Sequence, residues 1–99
     1  MRKPSLYSDD PVCFLCQGNV VHKHHIYPGC GRREVSEQEG CWVYLCPRHH
    51  NMSNQGIHFD RDFDRCMRED CQRRWEEREG LEGEEAHDEF RKLFGVSYL

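Results

Sequence analysis

Cys13-x2-Cys16 and Cys46-x2-His49 set the strongest constraint on how this chain folds. Two cysteines separated by two residues can face one ion from a tight turn, and Gly18 supplies a permissive backbone just behind them. Zinc takes four such ligands in a tetrahedron, and closed sites of three thiolates and one imidazole are common structural ones. The spacing therefore predicts a structural zinc held by Cys13, Cys16, Cys46 and His49. One ion would tie a turn near the N-terminus to a segment far along the chain.

Such a staple suits the rest of the sequence. The chain has 99 residues, of which 36% are hydrophobic and 32% charged, so it makes one small domain with a thin core. Seven cysteines also fit a secreted disulfide scaffold. The odd number, the histidines at ligand spacing and the lack of an apolar signal-peptide core in residues 1–10 argue against it. The expectation is a cytoplasmic protein with reduced thiols. No run is long and apolar enough to span a membrane. Cys30 and Cys41 are rival zinc ligands without a partner at ligand spacing. Cys66 and Cys71, five apart on a predicted helix, read as small apolar residues.

Residues 1–11 read as a flexible tail. Val20 to Tyr27 is rich in β-branched and aromatic residues and predicts a strand that Pro28-Gly29 stops. Residues 32–40 form a polar connection, with a helical turn begun at Ser36. Cys41 to Leu45 predicts a second strand, antiparallel to the first. Pro47 suits the first position of a short helix. Phe59, Phe63, Met67, Cys71 and Trp75 recur every four residues, which predicts an amphipathic helix of about five turns. Gly80 and Gly83 break it, and a last helix runs from Glu84 to Phe94 with Gly95 as its stop. The organisation is thus a tail (1–11), a core (12–58) and a helical extension (59–99) packed on the same α+β domain.

His24, His25, His50 and His58 remain once the zinc ligands are assigned. Neighbouring strand residues point to opposite sides, so His24 and His25 suit different tasks: one can bind a metal while the other takes a proton. His22 alternates with His24 and reads as a bystander or a substitute zinc ligand, and His87 reads as a surface residue. The net charge of −4 sits in the C-terminal part: residues 1–58 carry six basic and five acidic side chains, residues 59–99 eight and thirteen. A nucleic-acid site near the histidines is compatible with that balance.

From Val12 to about His58 the chain resembles the HNH endonucleases of the ββα-metal class, and more narrowly small phage-encoded HNH-like proteins. The resemblance rests on Cys13-x2-Cys16, His24-His25-Ile26-Tyr27, Arg32-Arg33-x2-Ser36-Glu37, Leu45-Cys46-Pro47-Arg48-His49-His50 and Gly56-Ile57-His58, and extends to the ending Leu93-Phe94-Gly95-x2-Tyr98-Leu99. His49 stands where a second zinc cysteine usually lies. The resemblance implies a zinc-stapled ββα-metal, treble-clef-like core with two added C-terminal helices. It implies DNA phosphodiester hydrolysis with His25 as general base and His24 and His50 as ligands of a catalytic divalent ion: magnesium, manganese, nickel or zinc. The last ligand is Asn54, one turn after His50, or His58, which imidazole chemistry favours. Arg32, Arg33 and Lys23 would meet phosphates. The Asn that orients the base in many members has no evident counterpart. Gly31 lies nearest its place, where a backbone carbonyl can substitute. The small size implies that a partner or a second copy adds DNA affinity. The competing reading is a zinc-stabilised nucleic-acid or protein-binding module without nuclease activity, favoured by the missing Asn and the acidic C-terminal part.

Overall fold

The computed structural model describes residues 2–29, 31–50, 56–57 and 60–99. Two strands, β1 (His22–His25) and β2 (Trp42–Leu45), pair antiparallel with His24 opposite Val43 and His25 opposite Trp42. Four helices complete the described fold: α1 (Arg32–Glu39), α2 (Pro47–His50), α3 (Arg61–Glu79) and α4 (Gly83–Phe94). The architecture is α+β, as the sequence predicts. β1 is shorter than the β-prone run, whose Val20 is exposed.

The polar connection is a two-turn helix rather than a single late turn. Gly31 and Gly40 flank α1 with φ of 82° and 78°, conformations that cost glycine little. Ser36 anchors it: fully buried, it donates from Oγ to the Tyr27 carbonyl (3.1 Å), and its own carbonyl accepts from Cys41 N–H (2.8 Å). One buried serine and a half-buried Val35 leave little periodicity to read in advance.

The N-terminal stretch, expected to be a loose tail, is tied down. Lys3 N–H donates to Gln38 O and Leu6 N–H to Gly40 O (both 2.9 Å), while Ser5 Oγ donates to Trp42 O (2.7 Å). The Tyr7 hydroxyl donates to Asp70 (2.7 Å), and the Arg74 guanidinium lies 4.1 Å from the Tyr7 ring centroid. These backbone groups find partners that no local pattern announces. At Gly40 a Cβ would overlap the Pro4 carbonyl oxygen. Gly40→Ala should therefore lower stability by about 2 kcal/mol or more, through the strained φ and the displaced N-terminal strap. Urea denaturation checks this, and an unchanged midpoint would show that the strap does not seat on Gly40.

α3 places Met67, Cys71 and Trp75 in the core and Phe63 against it, following the four-residue stripe; Phe59 lies outside the described residues. The Asp60 side chain caps the helix at Phe63 N–H (3.0 Å), and Gly80 ends it in the left-handed region. Gly83 begins α4 instead of only separating the helices. Ala86, Phe90 and Phe94 face inward. Tyr27 fills the centre, with ring centroids 5.2 Å from Phe90 and 4.6 Å from Phe94, and its hydroxyl donates to Arg68 O (2.6 Å). Each such buried side chain contributes about 1.5–3 kcal/mol through removal of apolar surface from water.

Two polar clusters join the helices. Gln72 is fully buried and satisfied at both ends, donating to Glu76 (2.8 Å) and Ser97 (2.9 Å) and accepting from Tyr98 N–H (2.7 Å). His87, expected at the surface, is half-buried with Nδ1 2.8 Å from Glu76. Cys66 is exposed, unlike buried Cys71, because it faces away from the stripe. No described helix is long and apolar enough to cross a membrane.

Glu39 forms the second cluster. Its Oε1 accepts from Lys3 (2.8 Å), Trp75 Nε1 (3.0 Å) and Arg78 (3.3 Å). Burial pushes its carboxyl up, but Lys3, Trp75 and Arg78 outweigh burial and hold it below its ordinary value of 4.5. A depressed carboxylate contributes stability that is fully present above pH 4.5 and is lost as pH falls below it. Glu39→Gln should cost about 1–3 kcal/mol at pH 7, with the deficit shrinking as acid protonates the wild-type carboxylate. Urea denaturation of both proteins across pH would reveal an equal deficit at all pH values if Glu39 acted only by shape.

Candidate metal centre and histidine strand

The predicted zinc ligands converge. Cys13, Cys16, Cys46 and His49 present ligand atoms that all lie within 4.8 Å of one another. Cys16 Sγ is 3.6 Å from Cys46 Sγ, and His49 Nδ1 is 3.2 Å from Cys46 Sγ and 3.6 Å from Cys13 Sγ. An ion at ordinary zinc–sulfur and zinc–nitrogen distances sets tetrahedral ligands about 3.5–3.8 Å apart, so the cluster fits one zinc with little adjustment.

Local sequence explains the turn. Gln17 adopts a left-handed φ of 64°, and its N–H donates to Cys13 O (2.9 Å), while Cys13 N–H donates to Gly18 O (2.8 Å). Cys46 and His49 come from the end of β2 and the first turn of α2, where Pro47 starts the helix as predicted. Burial pushes the Cys13 thiol up, but the backbone N–H groups of Cys46, Cys16 and Leu15, with the His49 ring, outweigh it and bring the thiol down to about 6. The Gly18 N–H favours the Cys16 thiolate, yet the bonds to Cys46 and Cys13 outweigh it and raise that thiol. Four ligand groups converging this closely form a donor set suited to one divalent ion. Cys41 is no rival ligand: it is buried beside Cys71, whose thiol bond and the burial around it raise it well above its ordinary value.

The remaining histidines divide between the two faces of β1. His22 and His24 face α2: His22 Nδ1 is 3.1 Å from His50 Nδ1, and the His24 and His50 ring centroids are 5.2 Å apart. His24 is buried at 4% exposure, beside a cleft lined by Asp60, Arg61, Asp64 and Arg68. His22, read as a bystander or a substitute zinc ligand, stands at the His50 ring and outside the Cys3His cluster. His49 and His50, neighbours on α2, point to different clusters.

No family model matches the chain, and neither does any curated protein or solved structure.

His25 faces the other side, in an open groove with Lys23, Arg33, Glu34, Glu37 and Arg2. Its Nε2 is 2.7 Å from Glu37 Oε2. Glu37 thus joins the candidate site, although the sequence assigns it no role. The Gly31 carbonyl, expected nearest the orienting position, accepts instead from Val35 N–H within α1 (3.5 Å). Lys23 donates to Glu37 (2.8 Å) and lies 4.2 Å from the Trp42 ring centroid. The two loop arginines separate: Arg33 lines the groove, whereas the Arg32 guanidinium lies against Gly95, where a Cβ would come within 3.0 Å of Nη2. A cation at the C-terminal end of α4 complements the helix dipole, so Arg32 has a structural task. His58 and Asn54, the two alternatives for the last ligand of a second ion, lie outside the described residues.

Proposed function

We propose that the chain is a metal-dependent HNH-type endonuclease that hydrolyses DNA phosphodiester bonds, with a ββα-metal core. The observation that carries this reading is the placement of His24 beside His50 across β1 and α2, while the next residue, His25, is held by a carboxylate. The order of elements β1, β2, α2 around the Cys3His cluster supports it.

Imidazoles of His24 and His50 suit a borderline divalent ion, which when bound supplies Lewis acidity and positive charge at the phosphate. His25 takes a proton from water as the water oxygen bonds to phosphorus; the bond to the leaving sugar oxygen breaks, and that oxygen keeps the electron pair and takes up a proton from solvent. Lys23 and Arg33 border the His25 groove, which supports their meeting flanking phosphates.

The second reading, a zinc-stapled binding module, draws on the Glu37–His25 contact, which serves equally as a structural ion pair. Nicking of supercoiled DNA with magnesium, manganese or nickel decides between them. The nuclease reading expects cutting that requires the added ion and is lost in His50→Ala. Binding without cutting under every ion would make the chain a binding module.

A further inference from the structure

We infer that Glu37 is the positioning residue for His25, fixing the imidazole with its proton on Nε2 so that Nδ1 is left to accept a proton. The inference rests on the nuclease reading. It starts from how the carboxylate divides its two oxygens. Lys23 Nζ (2.8 Å) and Arg2 (3.2 Å) both donate to Oε1, whereas Oε2 meets His25 Nε2 at 2.7 Å. Two cations on one oxygen keep the carboxylate ionised and stop it turning, which leaves the other oxygen facing the ring. An ionised carboxylate only accepts hydrogen bonds, so the ring nitrogen against it must carry the proton. A neutral imidazole has one proton to place, and its second nitrogen then becomes the acceptor.

The helix makes this contact dependable. Glu37 follows Ser36, whose buried side chain is bonded to the Tyr27 carbonyl, two residues beyond His25. Ser36 O also accepts from Cys41 N–H at 2.8 Å, at the entry to β2. α1 is thereby pinned to the end of β1 and the start of β2, and its next side chain falls beside His25. A carboxylate on a two-turn helix replaces the asparagine that the sequence lacks. It does more than an amide could, because its charge also stabilises the imidazolium formed when His25 takes a proton.

Nitrogen-15 NMR of the zinc-loaded full chain, with the ring neutral, reads the His25 tautomer without any variant or DNA. The expected result is protonation on Nε2; protonation on Nδ1 would overturn the inference whatever the protein cuts. Glu37→Gln then keeps the side-chain shape while its amide can donate to Nε2 and drive the proton to Nδ1. The expected outcome is kcat for plasmid nicking reduced about 10- to 1000-fold, KM within about twofold, and a changed His25 nitrogen spectrum. A merely structural Glu37 would leave both kcat and the tautomer unmoved in this isosteric variant, and that outcome also overturns the inference. If the wild type binds DNA without cutting, the nuclease reading falls and the positioning role falls with it. If the wild type cuts and Glu37→Gln cuts equally fast, only the role of Glu37 falls.

Discussion

Cys46→Ser should yield a chain that no longer folds at room temperature and no longer retains zinc. Cys46 Sγ is 3.6 Å from Cys16 Sγ and 3.2 Å from His49 Nδ1, so it sits between the turn and the helix that an ion held here would join. Structural zinc sites contribute apparent binding free energies of about 10–16 kcal/mol near neutral pH, and that energy is folding energy. A domain of this size has a total stability of about 5–15 kcal/mol. Loss of one thiolate therefore removes an amount comparable to the whole. Elemental analysis of the wild type should find one zinc per chain, and circular dichroism of Cys46→Ser should lack the cooperative unfolding transition. Cys66→Ser is the control, since Cys66 is exposed and outside the cluster. A well-folded wild-type sample without zinc would sink the assignment.

On the nuclease reading proposed above, His25→Ala should abolish ion-dependent DNA cleavage while preserving the fold, the metal content and DNA binding. A general base acts on the transition state and contributes little to ground-state binding, so kcat should fall by about 10²–10⁴. His25 is half-buried and its polar contact is with Glu37, which keeps Lys23 and Arg2 as partners after the ring is removed. Little structure depends on the ring, which makes the variant a clean test. His24→Ala should also lose activity, through weaker binding of the second ion, and raised ion concentrations should restore part of it. No such rescue should occur for His25→Ala. If His25→Ala cuts as fast as wild type, the base lies elsewhere on the chain.

The Cys3His cluster was legible because ligand spacing is local: each pair of groups lies within a single turn, and a shared ion would require the pairs to meet. The two strands and the α3 and α4 stripes were legible for a similar reason. Val43, Leu45, Met67, Trp75, Phe90 and Phe94 repeat at the strand or helix period, and all are buried. The separation of His24 from His25 follows from strand alternation alone. Other features were decided by tertiary contact. α1 consists almost wholly of polar residues, so its helix rests on glycine at both ends and on buried Ser36 bonded across to Tyr27. The N-terminal strap is held by backbone carbonyls of Gln38, Gly40 and Trp42, which carry no residue-specific signal. Gln72 and Glu76 occupy the core because Ser97, Tyr98 and His87 arrive from elsewhere to satisfy them. Glu37 became a candidate site residue in the same way. A glutamate in a charged stretch looks solvated, and only the packing of α1 against β1 turns its carboxylate toward His25.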